Sequence, residues 1–225
     1  MMSTARDARF HIFVLSKPQN HKMRALREVC RYARVGRVVL VDVSKDVINV
    51  CQTFFPQLAA GAFHDPRVRL VIRDAADFLA SGDAGVATFD VVLVDLTDRG
   101  LSDSVFTETA SQGLKRCLRP DGVVVRNFCA TGLNRTRRHT EELRTLDALG
   151  ERFAHSCLYQ YFQPTFVGGQ YAFAFMSDTV LPLRDLPAAG AWPYDTELHN
   201  GKHLCYYTPS VHIAGFALPR YMVTP

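Results

Sequence analysis

The chain has 225 residues, of which 48% are hydrophobic and 21% are charged. This composition supports one packed domain and argues against general disorder. No apolar run approaches the roughly 20 residues that span a bilayer, and the first residues lack the apolar stretch of a signal peptide, so neither a membrane nor secretion is expected. A net charge of +4 is too small an excess to indicate a nucleic-acid partner. The six cysteines contain no CxxC pair, which favours reduced thiols and a cytoplasmic location.

Apolar runs alternate with helical patterns along most of the chain. Strands are predicted at 11–15, 37–43, 68–72, 89–95 and 123–127, and helices at 21–34, 46–55, 76–80, 106–118 and 136–153. The strand after the fourth helix is predicted to follow a turn at 119–122, and a hairpin formed by 156–162 and 171–176 comes later. Residues 1–10 are expected to be a disordered tail, 11–225 one domain, and 178–205 mainly loop.

The second and fourth predicted strands, at 38–41 and 91–94, are apolar on both faces. Strands of this kind belong in a parallel sheet that helices cover on both sides. Together with the later hairpin, they predict an α/β fold with a doubly wound, mostly parallel sheet and an antiparallel hairpin at one edge. This arrangement is similar to the Rossmann-like fold of AdoMet-dependent methyltransferases.

Acidic residues follow three consecutive strands of the predicted sheet. Asp42, Asp74 and Asp95 come at the carboxyl ends of these strands, where ligands bind in open α/β sheets. An acid after the second strand can accept both hydroxyls of a ribose, and one after the third can accept from an adenine amino group. The alternative is that each aspartate caps a helix or closes a turn. Three acids in register favour a nucleoside pocket.

The turn after the first strand, at 16–22, contains no glycine, and Pro18 removes one N–H donor. Nucleotide-binding sheets use glycines there so that the backbone can approach the ligand. A dinucleotide with a pyrophosphate is therefore disfavoured. An AdoMet-dependent methyltransferase remains an alternative, although this chain lacks both that glycine and a polar-Pro-Pro-aromatic stretch after the fourth strand.

Five segments carry a family resemblance, and they occur in order along the chain. Residues 42–48 read Asp-Val-Ser-Lys-Asp-Val-Ile, 63–68 Phe-His-Asp-Pro-Arg-Val, 89–98 Phe-Asp-Val-Val-Leu-Val-Asp-Leu-Thr-Asp, 164–170 Pro-Thr-Phe-Val-Gly-Gly-Gln, and 206–212 Tyr-Tyr-Thr-Pro-Ser-Val-His. In combination these segments resemble the spermidine synthases, or polyamine aminopropyltransferases. The resemblance extends from about residue 11 to the end of the chain.

The resemblance implies that an aminopropyl group moves from decarboxylated S-adenosylmethionine, the co-substrate, to a diamine such as putrescine. Methylthioadenosine is the second product, and no metal is involved. It implies that Asp95 is the catalytic base, and it assigns the amine to Asp98, Phe166 and Gln170 and the nucleoside to Asp42, Asp74, Ala75 and Thr97.

The chain also departs from the family pattern. The family's glycine-rich loop is replaced by 16–22, Phe166 lacks the hydroxyl of the family's tyrosine, and Arg126 stands near the position of a family acid, where a guanidinium would repel a dication. No segment corresponds to the family's small N-terminal β domain. Loss of that domain predicts self-association or pairing with a relative, because apolar surface would be uncovered. A homologue without catalysis, acting as a binding or regulatory partner, is therefore the main alternative.

Two further clusters are interpreted as having no ligand. The cations of 134–139 lack the interleaved aromatics of a nucleic-acid surface and are expected to face solvent. His199 and His203, with Cys205 nearby, have the spacing of two metal ligands, but Gly201 and a missing glutamate make them a poor zinc motif.

Overall fold

The computed structural model describes residues 10–16, 21–96, 103–130, 150–164, 169–184 and 206–223. Within these ranges the chain forms a seven-stranded sheet of β1 (Phe10–Ser16), β2 (Val35–Asp42), β3 (Val68–Ile72), β4 (Phe89–Asp95), β5 (Leu118–Ala130), β6 (His155–Phe162) and β7 (Gln170–Ser177). The helices of the same ranges are α1 (His21–Cys30), α2 (Lys45–Phe54), α3 (Pro56–Ala59), α4 (Ala75–Ala80), α5 (Glu108–Cys117), α6 (Pro209–Gly215) and α7 (Arg220–Val223).

The strand order is β3-β2-β1-β4-β5-β7-β6. The first five strands pair in parallel, β7 pairs antiparallel with β5, and β6 pairs antiparallel with β7. The predicted fold class is confirmed, including the hairpin at the sheet edge. The strand order reverses at β1, which lies between β2 and β4, and such a reversal is where open α/β sheets bind ligands.

Helices cover both faces of the sheet and bury two separate apolar clusters. On the face that we call the α1 face, Ile12, Val14 and Leu40 pack with Leu26 and Val29 of α1. The opposite face, which we call the α5 face, packs against α4 and α5, and its buried residues include Phe13, Leu15, Val41, Val94, Phe78, Leu79 and Leu114. Successive strand residues point to opposite faces, so strands buried between two helix layers need apolar residues at every position.

Two local features differ from the prediction for identifiable reasons. α2 ends at Phe54, one residue before the predicted end, but Pro56 does more than follow it: it opens α3 at a position whose N–H has no partner in a helix. The predicted turn at 119–122 lies inside β5, because pairing resumes on both sides of it: Leu118 pairs with Phe89 and Val123 with Val91.

The first helix is shorter than predicted because a distant arginine binds the chain just past it. α1 ends at Cys30 rather than residue 34. Arg67, which precedes β3, forms an ion pair with Asp65 at 2.6 Å and donates to the carbonyls of Cys30, Tyr32 and Val35. One guanidinium therefore holds the end of α1 against the start of β2.

Some predictions lie outside the described residues. They are the tail at residues 1–9, nearly all of the helix at 136–153, and the loop at 185–205. Among the residues that the structure describes, no helix is both long and apolar enough to cross a membrane.

Candidate functional site

The carboxyl ends of β1, β2 and β4 bring two of the predicted acids to one row of the sheet. Ser16 of β1 pairs with Asp42 on one side and with Asp95 on the other. Adjacent strands lie about 4.8 Å apart, so the Cα atoms of these acids are about 10 Å apart. The preceding residues, Val41 and Val94, point into the α5-face core, which puts both acids on the α1 face.

Asp42 is fully buried at the end of β2. Its relative exposure is 0%, and its Oδ1 accepts a hydrogen bond from the Ser44 N–H at 2.8 Å. The Ser44 hydroxyl in turn accepts from the Val47 N–H and caps α2. The aspartate is therefore fixed by the turn that starts the next helix, as the capping alternative predicted for acids after strands.

Asp74 caps a helix on the other side of the sheet. Its Oδ1 accepts from the N–H groups of Ala76 at 2.8 Å and Asp77 at 3.4 Å, and it is the N-cap of α4. Ala75, the first residue of α4, is buried in the α5-face core. Asp74 is half-buried, and both of these hydrogen bonds use the same carboxylate oxygen.

Asp95 is half-buried at the end of β4. A side chain of the neighbouring strand β5 holds the backbone next to it. The side-chain amide of Asn127 on β5 donates to the Leu96 carbonyl at 3.2 Å, immediately after Asp95. This contact holds the end of β4 against β5. In the family resemblance, Asn127 belongs to the segment 126–129, which stands where the family has an acid after the fifth strand.

The expected repulsion by Arg126 is wrong. Arg126 pairs with Val94 on one side and Ala174 on the other, and both neighbours belong to the α5-face core. Its side chain is therefore on the face opposite Asp95, and its exposure is only 3%. Because the sheet separates the guanidinium from the two acids, Arg126 does not line the α1 face where a cationic amine would approach Asp95.

Besides Phe175, the edge hairpin adds four aromatic side chains to the α1 face, nearer the carboxyl ends of the parallel strands. Ala172, Ala174 and Leu158 point into the α5-face core, so the alternating residues point the other way. We call this set the aromatic wall; it comprises Tyr159, Tyr161, Tyr171 and Phe173. The rings of Tyr161 and Phe173 stack at 4.6 Å with an interplanar angle of 15°, and Tyr159 contacts Phe173 at 5.5 Å.

The aromatic wall is electrostatically linked to Asp95. Burial raises the pKa of Tyr161 to about 12, and the negative charge of Asp95 contributes to the same shift. Burial also raises the pKa of Tyr159. From sequence alone, Tyr159 and Tyr161 fit edge-strand packing better than a stacking platform. The signal that could have placed them is the spacing of aromatics at every second position on two paired strands.

The C-terminal segment packs against β6 of this hairpin, next to Tyr159 of the aromatic wall. Phe216 contacts the Tyr159 ring at 5.3 Å, and the side-chain amide of Gln160 donates to the Ala217 carbonyl at 3.0 Å. His212 holds the segment in place: its Nε2 donates to the Pro182 carbonyl at 2.8 Å. Its Nδ1, 2.8 Å from the Tyr207 hydroxyl, then accepts from that group in a neutral imidazole.

Of the remaining predicted site residues, the structure describes only Gln170. Gln170 is exposed at the first position of β7, where it pairs with Phe162. Thr97, Asp98 and Phe166 lie outside the described residues, as do the basic cluster at 134–139 and the residues His199, His203 and Cys205. In the part of the chain that the structure describes, no group of three or more His, Cys, Asp or Glu side chains is arranged to hold a metal ion.

Comparison with known proteins adds a sequence match across most of the chain. A family model for the spermine/spermidine synthase domain matches residues 23–185. A polyamine aminopropyltransferase of Hamiltonella defensa is 36% identical over 203 residues, which cover 88% of this chain and 66% of the relative. One from Klebsiella pneumoniae is 35% identical over 199 residues, with the same coverage. The chain thus spans just under two thirds of the length of these curated relatives.

Solved structures give the same result at the level of the fold. A spermidine synthase in complex with the transition state analogue AdoDATO superimposes with a TM-score of 0.78 at 25% identity, covering 93% of this chain and 67% of the other. The spermidine synthase of Thermotoga maritima gives a TM-score of 0.77 at 23% identity, covering 95% and 67%. The second comparison supports the fold alone.

Proposed function

The chain belongs to the spermine/spermidine synthase family, and on that premise we propose that it transfers an aminopropyl group from decarboxylated S-adenosylmethionine to a diamine. The observation that carries the proposal is the common register of Asp42 and Asp95 on the α1 face, on either side of β1. One acid can bind the nucleoside while the other meets the reacting atoms. Because the chain covers only part of its relatives, the activity itself is what the experiment must test.

The reaction requires a base at the position of Asp95. The amine nitrogen forms a bond to the carbon attached to the sulfonium, the carbon–sulfur bond breaks, and its electron pair goes to sulfur, which leaves neutral methylthioadenosine. The attacking amine must be neutral, yet a free alkylamine has a pKa of about 10.4, like lysine. Asp95 takes the proton that the nitrogen loses as the new bond forms.

The nucleoside side of the proposal uses Asp42, Asp74, Ala75 and Thr97. A carboxylate at the end of β2 can accept both ribose hydroxyls. Since Asp42 is buried, the groups that cover it must move for a ribose to reach it. Asp74 can meet an adenine amino group through Oδ2 while its Oδ1 still caps α4. Because Asp74 lies on the side of α4, one ligand would have to cross the carboxyl ends of the strands to meet both Asp74 and the acids of the α1 face.

The amine side of the proposal uses Asp95 together with Asp98, Phe166 and Gln170; alternation with Ala172 and Ala174 puts Gln170 on the side opposite Asp95, so its side chain would reach an amine only around the end of β7. A diamine such as putrescine carries positive charge at both ends near neutral pH, and Asp95 and Asp98 supply negative charge. The position of Arg126 on the α5 face supports this part of the proposal, because no guanidinium from that residue opposes the amine. No metal enters the reaction.

Self-association and a cytoplasmic location remain part of the proposal. Exposed apolar side chains support association: Val50 is 48% exposed, Phe54 68% and Ile72 43%. Sedimentation velocity tests it, with a dimer or a larger species expected at micromolar concentration. A single monomeric species would contradict self-association.

Product detection tests the activity directly. The protein is incubated with decarboxylated S-adenosylmethionine and, in separate reactions, with 1,3-diaminopropane, 1,4-diaminobutane and 1,5-diaminopentane. Mass spectrometry is expected to detect an aminopropylated amine together with an equal amount of methylthioadenosine. Nucleoside binding without any product would instead support the non-catalytic homologue and would overturn the transferase proposal.

A further inference from the structure

Tyr161 shares a sheet face with Asp95, and we propose that it determines which amine the protein accepts by binding the ammonium group that does not attack. The amine would then be held at two points, with its reacting nitrogen at Asp95 and its distal nitrogen at the aromatic wall. This inference rests on the proposed function, because it takes an alkyl diamine as the ligand.

Strand register gives the relative positions of the two groups. Val94 of β4 pairs with Arg126 of β5. The next residues along the two strands, Asp95 and Asn127, therefore lie side by side and form the next row across the sheet. Asn127 pairs with Phe173, which pairs with Tyr159. The row therefore crosses the sheet from Asp95 to the aromatic wall on the α1 face.

Tyr161 and Tyr171 form the next pair on this face beyond that row, toward the carboxyl ends of the parallel strands. They pair directly across β6 and β7, and their ring centroids are 6.2 Å apart. Ligands of open α/β sheets bind at the carboxyl ends of the strands. The two phenol rings consequently stand on the side from which a substrate reaches Asp95.

The Tyr161 ring is held in place before any ligand binds. It stacks on Phe173 at 4.6 Å and 15°, and Phe173 also contacts Tyr159. An ordered side chain loses little conformational entropy on binding a ligand, so its contact contributes more to affinity. The half-buried setting of Tyr161 also strengthens an electrostatic contact relative to one in open water.

The local charge favours a cation over an anion or a neutral group. The negative charge of Asp95 acts on the Tyr161 phenol, which is protonated and neutral near pH 7. Arg126 lies on the opposite face. A phenol oxygen accepts a hydrogen bond from an ammonium group, and the face of an aromatic ring attracts a cation. One carboxylate and a neutral aromatic wall together suit a diamine.

The experiment compares two amines that differ only in the second ammonium group. Calorimetric titrations with 1,4-diaminobutane and with 1-butylamine are carried out in the presence of saturating methylthioadenosine. The wild-type protein is compared with Tyr161→Phe, Tyr161→Ala and, as a matched control, Phe162→Ala. Phe162 neighbours Tyr161 on β6 but alternates to the other face and is 60% exposed. Thermal melts of each variant check that it is folded.

Tyr161→Ala is expected to weaken 1,4-diaminobutane binding by about three- to thirtyfold, the range of a cation–π contact between exposed and desolvated settings. Binding of 1-butylamine is expected to change little, Tyr161→Phe to have a smaller effect, and the Phe162 control to match wild type. Equal weakening of both amines, an unchanged preference, or failure of wild type to bind 1,4-diaminobutane would overturn the inference.

The transfer assay separates this inference from the proposed function. Tyr161-dependent diamine binding without product would leave the inference standing and refute the transferase. Conversely, product formation with the same preference for amine chain length in wild type and Tyr161→Ala would refute the inference and leave the transferase standing.

Discussion

Asp42 and Asp95 end the two strands on either side of β1, and Ser16 pairs with both of them. The acids therefore share one row and one face of the sheet, at the point where the strand order reverses. Asp42 is fully buried and hydrogen-bonded to Ser44. Asp95 is half-buried, and its negative charge contributes to the raised pKa of Tyr161, which lies three strands away in the sheet order. The two proposed roles, nucleoside binding for Asp42 and proton acceptance for Asp95, therefore fall on acids in different surroundings.

Asp95→Asn is expected to lower the rate of aminopropyl transfer by about a hundred- to ten-thousandfold, the usual contribution of a general base. Affinity for methylthioadenosine should change little, because the substitution keeps the size of the side chain. Rates from product mass spectrometry and affinities from calorimetry measure both. Asp77→Asn, an exposed change in α4, is the matched control. Full activity of Asp95→Asn would remove the residue from the mechanism.

Asp74→Ala is expected to lower the free energy of unfolding by about 1 kcal/mol, because α4 loses its N-cap. Asp74→Asn should restore most of that loss, since asparagine caps helices about as well as aspartate. Urea denaturation compares the two variants with wild type. If Asp74→Ala proved as stable as wild type, the capping role would be wrong. Weaker methylthioadenosine binding by Asp74→Asn at unchanged stability would show that the carboxylate also binds ligand.

Arg67→Lys is expected to destabilise the fold by about 1–3 kcal/mol, the cost of polar groups left without partners. The ammonium of lysine cannot reach Asp65 and the carbonyls at the end of α1 together, and because these groups are half-buried, water replaces part of what is lost. Arg69→Lys, an exposed change on β3, should shift stability by less than about 0.5 kcal/mol. Denaturation curves of both variants make the comparison, and equal stabilities would contradict the role of Arg67.

Tyr161 should make the folded protein sensitive to high pH. Its pKa rises from 10.0 to about 12 on folding. Above pH 10 the unfolded chain releases this proton while the folded chain retains it, so the free energy of unfolding falls as pH rises from 10 to 12. Tyr161→Phe is expected to show a shallower fall across that window in chemical denaturation at several pH values. Parallel curves for the two proteins would show that the phenol is not buried as described.

Much of the fold could be predicted because the second and fourth strands contain runs, 38–41 and 91–94, that are apolar on both faces. The bounds of β3 and β4 match the expectation, and the edge hairpin follows from two aromatic runs separated by glycine. The extent of β5 could not be predicted, since local sequence at 119–122 reads as a turn. Only pairing with β4 on both sides of that segment makes it part of one strand.

The site was partly predictable for the same reason. Parallel strands end at one edge, so the shared row of Asp42 and Asp95 follows from where their strands stop. The side of the sheet that Arg126 occupies, and the position of Tyr161 relative to Asp95, depend on register across β5, β7 and β6. Such pairings join residues far apart in sequence, and residue patterns do not encode them locally.

A crystal structure with methylthioadenosine tests the central claim most directly. The account predicts ribose hydroxyls within hydrogen-bond distance of the Asp42 carboxylate and the thioether directed toward Asp95 on the α1 face. A nucleoside bound elsewhere, or crystals that stay empty at millimolar methylthioadenosine while Asp42 keeps its buried contact with Ser44, would contradict it.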